Sequence, residues 1–386
     1  MVIVSCSTKF HAFDLSEQLA QNGILTGLYT TFHSQKNNII GRFHHRKDQE
    51  MIPLDKIHTC VLLAICLRKF PNNEYKWNDI FDHYVKWSLT NQKNYKVFIG
   101  WSGMSLNALL YAKSKNKITI IERGSSHILY QKEILQEEYS RQLGQDVNFD
   151  SRVIEKELKE YEAADFISIP SLFVKRSFIE YGVPESKLFY NPYGTSSSFY
   201  PKTINRENDK FRILYLGSLN IRKGLIYLFE ALNQLELKEK DYEVWFIGGM
   251  DSNIKPFYDK YSKSNWKYLG FIEHYELVNY ITQCDIAIQP SIEEGLSRVI
   301  PQILSCGVPV IATYNSGGEE VITDDKTGFL IPIRNSDIIR RKIEHLYYDR
   351  NKLNSMKMDA SKSANQDLSW DKYGKRYANF LQKNTL

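Results

Sequence analysis

Two carboxylates and a pair of cations are the parts of this sequence best suited to chemistry on an anion. The carboxylates, Glu293 and Glu294, stand in the stretch Pro290–Thr313, PSIEEGLSRVIPQILSCGVPVIAT. Gly295, Leu296 and Ser297 follow directly. If a helix runs from Leu296 to Ser305, its first amides and the Gly295 backbone face a bound anion, favoured by the helix dipole. Gln302 lies eight positions after Glu294 on that same helix. The cations are Arg222 and Lys223, which close the run Gly217-Ser218-Leu219-Asn220-Ile221 before a second helix. A guanidinium fork and a compact ammonium are the usual ligands of phosphate. The plainer reading is two basic residues solvating a helix start. A third group lies earlier: His11 in a loop after the first strand, and Arg123 with His127 in the loop RGSSH. For the RGSSH loop a place in a cleft and a satisfied structural turn are equal readings, whereas a lone loop histidine such as His11 is more often structural.

These residues need strands and helices in alternation to bring them together. Asp285–Gln289 (DIAIQ) reads as a strand, PSIEEG as a turn, and VPVIA after Cys306-Gly307 as a second buried strand. In open α/β sheets, ligands bind at the carboxyl ends of the strands, where this loop falls. Met1–Cys6, Ala12–Gln21 and Ile24–Tyr29 repeat the pattern as strand, helix, strand. The absence of GxGxxG there counts against a nicotinamide dehydrogenase. Val97–Ile99 and Lys117–Glu122 are further strands. Residues 33–94 carry helices around 57–70 and 77–90 and no motif. Helices at 131–139 and 153–164 present charged faces, read most simply as solvent-facing. In the C-terminal half, Phe211–Leu216 and Val244–Ile247 are strands, the latter ending in Gly248-Gly249. Helices follow at 336–348 and 370–382.

The 386 residues suffice for two cores. A net charge of +5 is too small to argue for nucleic acid. Residues 1–100 hold 12 Lys/Arg against 8 Asp/Glu, densest at Arg42, His44, His45, Arg46 and Lys47. That cluster reads either as a solvated loop or as a contact with anionic lipid or an anionic acceptor. The five cysteines make no CxxC pair and sit among apolar neighbours, as small buried hydrophobes in a reducing compartment do. The opening MVIVSC is too short for a signal peptide, and Cys60–Leu67 is far below the roughly 20 residues that span a bilayer. The expected location is cytoplasmic, with the inner face of the plasma membrane as its variant.

The ordered series Glu294-Gly295, Cys306-Gly-Val-Pro-Val-Ile-Ala312, Gly317-Gly-Glu-Glu320 and Thr327-Gly-Phe-Leu330 resembles the donor-site region of the family 4 glycosyltransferases, in the form that builds bacterial surface polysaccharides. The run from Asp165 through Asn191-Pro192-Tyr193-Gly194 also resembles that family. The resemblance implies an α/β protein of GT-B fold, with two Rossmann-like domains facing each other across a cleft. The implied division is residues 1–201 for the acceptor-side domain and 202–210 for a linker. Residues 211–368 form the nucleotide-sugar domain, and 369–386 a helix crossing back to the first.

The family's paired acids are separated by seven intervening residues; here Gln302 replaces the second, and Ser218 stands where the family carries Arg. By resemblance, Glu294 meets the donor sugar's hydroxyls and Gln302 the ribose. Gly217, Ser218, Gly248, Gly295, Leu296 and Ser297 line the nucleotide site, and Phe271 lies near the base. Arg222 and Lys223 hold the diphosphate, and His127, with His11 and Arg123, faces the acceptor. Glu294, His127, Lys223 and Arg222 are the catalytic candidates. No DxD metal motif is present, so neither metal nor cofactor is expected. The implied reaction is retaining transfer of a hexose-type sugar from a UDP- or GDP-sugar to a glycan or lipid-linked glycan. Peripheral membrane contact is part of that setting. Two other readings stay open: a nucleotide-sugar-binding protein with reduced chemistry, and a sugar-nucleotide epimerase of the same fold.

Overall fold

The computed structural model describes residues 1–8, 10–31, 52–70, 73–203, 206, 208–367 and 369–385. The basic cluster at residues 42–47 lies outside them. The N-terminal half is built on seven strands: β1 (Val2–Cys6), β2 (Leu25–Thr30), β3 (Ile57–Thr59), β4 (Val97–Trp101), β5 (Ile118–Glu122), β6 (Phe166–Ile169) and β7 (Leu188–Tyr190). They form one parallel sheet in the order β3-β2-β1-β4-β5-β6-β7. The second sheet holds β8 (Phe211–Leu216), β9 (Tyr242–Ile247), β10 (Trp266–Gly270), β11 (Ile286–Gln289), β12 (Val310–Thr313) and β13 (Gly328–Ile331). Its order is β10-β9-β8-β11-β12-β13, again all parallel. Central strands of parallel sheets are covered on both faces, so they read as unbroken apolar runs rather than alternations. β1, β4, β8, β9, β11 and β12 are buried at every residue. Two α/β units of this kind bear out the fold class expected from the sequence.

The helices are α1 (Ala12–Gln21), α2 (Val61–Lys69), α3 (Glu74–Thr90), α4 (Leu106–Ser114), α5 (Ile128–Leu143), α6 (Ser151–Ala163) and α7 (Leu172–Glu180) in the first half. The second half has α8 (Leu225–Asn233), α9 (Lys255–Tyr261), α10 (Leu277–Ile281), α11 (Val299–Ser305), α12 (Ser336–Tyr348), α13 (Arg350–Asp367) and α14 (Trp370–Thr385). Three expectations are corrected. The residues Ile57–Thr59 pair as an edge strand beside β2 instead of opening a helix. α6 turns charged residues inward: the buried Glu160 accepts from the amides of Gly103 (2.5 Å) and Ser105 (2.8 Å). And α11 begins at Val299, not Leu296. Pro301 accounts for the last difference, because a residue without an N–H fits the first turn of a helix but breaks its interior.

The chain returns to its beginning. α14 packs along α1, and its Tyr373 and Tyr377 are fully buried in the apolar cluster under β1 and β4. Asp285 ties the returning path to the second sheet. Its carboxylate accepts from the Arg212 amide (2.9 Å), Lys357 of α13 (2.6 Å) and Arg206 between the halves (3.1 Å). Burial alone would raise its pKa, yet Lys357 and the other donors outweigh that and hold it below the usual carboxylate range. Among the described residues, no helix is long and apolar enough to cross a membrane. Asp285→Asn keeps the shape but removes the charge that three donors share. It is expected to cost about 1–3 kcal/mol of stability, read as a lower denaturation midpoint in urea with an unchanged slope.

Candidate functional site

The carboxyl ends of both sheets meet around one cavity of about 680 Å³. Loops after β1, β4 and β5 supply its upper wall through His11, Ser102 and Arg123. Loops after β8 and β11 supply the lower wall through Gly217, Lys223 and Glu294, and the approach to α11 adds Leu296, Ser297 and Arg298.

One buried carboxylate joins the two walls. Glu293 is fully buried, and four donors converge on it. They are the Ser126 amide (2.9 Å) and hydroxyl (2.7 Å), the Gln131 side-chain amide (2.9 Å) and Arg222 Nε (2.9 Å). Burial opposes its ionisation, but the Arg222 charge and the Ser126 donors outweigh it and hold the pKa down to about 2. Close backbone approach completes the joint. A Cβ on Gly295 would lie 2.0 Å from the Gly124 carbonyl oxygen, and Ser171 donates to the Gly295 carbonyl at 2.6 Å. Sequence reasoning noted the Glu-Glu doublet but gave a role only to its second member.

Glu294 points the other way, into the cavity. Its carboxylate is in contact with Lys223 Nζ and accepts from Ser291 Oγ at 3.0 Å. Lys223 is held at the end of a 3-10 turn (Ile221–Lys223), where the Asn220 side chain accepts from its amide at 3.1 Å. Gly224 then takes φ +67°, and a Cβ there would lie 2.0 Å from the Pro290 carbonyl oxygen. Glycine is therefore what lets the Lys223 turn and the Glu294 loop touch. Burial, with Arg222 acting in the same direction, pushes the Lys223 ammonium down to about 7; the Glu293 carboxylate acts against both.

The other candidates divide. Arg222, expected on a phosphate, is spent on Glu293 and lies 3.4 Å from Ser125 Oγ. A buried carboxylate without a partner would cost more than the loss of one phosphate ligand. Arg298, which the sequence reading passed over, lines the cavity instead, half-exposed and 3.5 Å from Asp14. Arg123 lines the cavity but is internally saturated. It donates to the Ser126 carbonyl (3.0 Å), Glu157 (3.0 Å), Ser102 (3.2 Å) and Gln131 (2.9 Å). His127 is a correction. It lies buried as the N-cap of α5, stacked on Tyr181 at 4.8 Å and packed against Tyr161 and Phe178, away from the cavity lining. Burial and Arg123 push its pKa down to about 4, so it is a neutral structural residue.

The amides of Glu294 and Ser297 are likewise taken, by the Asn315 and Ser316 carbonyls at 2.9 Å each, and do not face an anion. Gly248 packs on Gly217 rather than on open space, with its Cβ position 2.0 Å from the Gly217 carbonyl oxygen. Ser218 accepts from the Asn220 side chain at 3.2 Å, which supports the Lys223 turn at one remove. Gln302 is buried and lies 3.3 Å from His274, on the segment that begins with the exposed Phe271. His11 does line the cavity, with Nε2 3.0 Å from Glu122.

Residues 197–363 match the family model for glycosyl transferases group 1. Over 146 residues the chain is 32% identical to "Putative glycosyltransferase EpsD" of Bacillus subtilis, covering 37% of this chain and 38% of that protein. Over 214 residues it is 22% identical to "Putative colanic acid biosynthesis glycosyltransferase WcaL" of Escherichia coli, covering 52% of each. The chain thus spans about half or less of these relatives' length. The solved structure of Anabaena Alr3699/HepE in complex with UDP and glucose superposes with a TM-score of 0.70 at 14% identity, over 99% of both chains. That likeness shows the fold, two Rossmann-like domains of the GT-B type.

The Glu293 joint makes a prediction about acid. A carboxylate with a depressed pKa contributes stability above its ordinary value of 4.5, and that contribution is lost as pH falls toward about 2. Glu293→Gln is expected to melt below the parent at neutral pH, with the gap closing as pH drops from about 4.5. Thermal melts across that range check it; a gap that stays constant contradicts the assignment.

Proposed function

We propose, for a chain that belongs to the glycosyl transferases group 1 and has the GT-B fold, that it transfers a sugar from a nucleoside-diphosphate donor to a hydroxyl of a glycan or lipid-linked glycan. The observation that carries this is the Lys223–Glu294 pair on the cavity floor, with Arg298 on the same lining. As the glycosidic bond breaks, negative charge grows on the β-phosphate and positive charge on the anomeric carbon. Fixed charges aimed at the phosphate then lower the barrier.

In this reading an incoming diphosphate draws Lys223 off Glu294, and the ammonium becomes the phosphate's ligand. Glu294, released, accepts from the sugar's hydroxyls. Binding and positioning are coupled through one ion pair. Arg298 takes the place that Arg222 vacates for Glu293. Two fixed cations at the phosphate let the reaction proceed without a metal, and the reading includes retention of configuration. Gln302, held toward His274, meets the ribose as an amide that both donates and accepts. The UDP in the HepE complex and the colanic acid in WcaL's name support a uridine donor and a polysaccharide acceptor. A second reading, donor binding without transfer, draws on Gln302 and on the engagement of Arg222 elsewhere.

A thermal-shift panel of UDP, GDP, ADP and CMP, with EDTA and with magnesium, tests the donor site. One diphosphate is expected to raise the melting temperature equally in EDTA. Lys223→Met is expected to abolish that shift, and Glu294→Ala to keep it while lowering turnover at least about tenfold, or roughly 1.4 kcal/mol of barrier. No shift from any nucleotide contradicts the donor site. A shift without turnover favours the binding reading.

A further inference from the structure

The outer face of the two helices that follow β3 carries large apolar side chains in solvent. On α3, Asn78, Phe81, Asp82, Val85 and Leu89 are buried. Helical spacing sets Lys76, Ile80, His83 and Trp87 on the opposite side. All four are exposed, Trp87 to 65% and Ile80 to 40%. α2, joined to α3 by four residues, packs against it. Its Leu63 enters the same buried cluster as Phe81 and Val85, while Leu62, Ile65 and Lys69 face outward at helical spacing. Leu62 is 77% exposed, and Phe70, which ends the helix, 53%. The Phe70 and Trp77 rings, 6.3 Å apart, connect the two stripes. Single exposed apolar residues are ordinary, but Leu62, Ile65, Phe70, Ile80 and Trp87 share two adjoining helices, and such clustering marks an interaction site.

The charges on this face select the partner. Lys69, Lys76 and Lys86 are exposed, and none of them forms an ion pair with another described residue. Lys76 lies 5.5 Å from the centre of the Trp77 ring instead. Asp79, the acid on the flank of the α3 stripe, is engaged by the buried Lys156 at 3.0 Å and approached by His83 at 3.7 Å. Glu74 lines the cavity with Tyr75 and Asn78. The face therefore combines apolar groups with uncompensated positive charge. Lysine is depleted from interfaces between proteins. An indole and aliphatic groups among lysines suit the boundary of headgroups and acyl chains, where the lysine stems lie along apolar surface and their ammonium groups reach the lipid phosphates.

We propose that the α2–α3 face docks the protein on an anionic bilayer surface. Leu62, Ile65, Phe70, Ile80 and Trp87 enter the headgroup region, and Lys69, Lys76 and Lys86 meet the lipid phosphates. The contact goes beyond the glycosyl-transfer reading and does not depend on it. Taken with that reading, it gives a lipid-linked acceptor a route, because the first turn of α3 also lines the cavity.

The test floats the full chain with vesicles of equal parts phosphatidylcholine and phosphatidylglycerol, and with vesicles of phosphatidylcholine alone. The protein is expected to float with the first and to stay behind with the second, and salt is expected to weaken the binding. Ile65→Gln combined with Trp87→Ser is expected to lower affinity at least about tenfold. Lys69→Gln, Lys76→Gln and Lys86→Gln together are expected to do the same, at about fivefold per lysine. All five positions are exposed, so the melting temperature and the thermal shift from a diphosphate are expected to stay unchanged. Trp87→Phe keeps an apolar ring but removes the indole. It is expected to float as the parent does and to lose most of the quenching of tryptophan emission by brominated lipid. Flotation with neither vesicle, or equally with both, overturns the proposal. Flotation that survives both sets of changes but is lost with Arg42→Gln, Arg46→Gln and Lys47→Gln overturns it in favour of the basic cluster. Dimers that Trp87→Ser dissociates overturn it in favour of a second copy of the chain. A protein that floats as expected yet shows no diphosphate shift overturns the donor site and leaves this contact standing.

Discussion

Burial of the Glu293 charge is the constraint on which the rest of the site depends. A carboxylate removed from water is costly unless charge and hydrogen bonds replace its hydration. Here the replacements come from both halves of the chain: Ser126 and Gln131 from one, Arg222 from the other. Neither half alone can satisfy this group. The two sheets are thereby held with their carboxyl ends facing, and the cavity between them follows from that. The same contact decides which cations are left for a ligand. With Arg222 committed to the joint, Lys223 and Arg298 carry the charge of the cavity floor.

Adjacent carboxylates in one loop thus acquire opposite roles from their surroundings. Glu293 is enclosed and paired with a guanidinium whose charge is permanent. Glu294, one residue on, meets an ammonium whose own charge is weakened by burial and by Arg222. The first pair is a fastening. The second is an interaction that a more highly charged phosphate can outcompete, which is what a donor site needs. On the opposite wall the buried Glu122 accepts from the Tyr377 hydroxyl of α14 at 2.8 Å and lies 3.0 Å from His11. The return of the chain to its N-terminal half therefore contributes to the site as well as to the fold.

Much of this was legible in the sequence. Apolar runs gave the parallel strands, because strands covered on both faces need no polar alternation, and the Glu294, Gly295 and Lys223 motifs led to the cavity floor. What escaped depended on contacts between segments far apart. His127 looked like cleft chemistry because its loop is short and polar, yet the aromatic residues that enclose it come from α6 and α7. Arg222 looked like a phosphate ligand because nothing local shows that Glu293 will be buried against it. The position of Pro301 was a usable local signal for the later start of α11, and it was overlooked. Glu122 and Tyr377, 255 residues apart, could be joined only by the fold.

A structure of the protein with UDP bound is the most direct test of the account. It predicts Lys223 Nζ within hydrogen-bonding distance of a β-phosphate oxygen and withdrawn from Glu294, with Arg222 still on Glu293. A diphosphate bound while Lys223 remains on Glu294, or one held by Arg222 with the Glu293 joint broken, would contradict it.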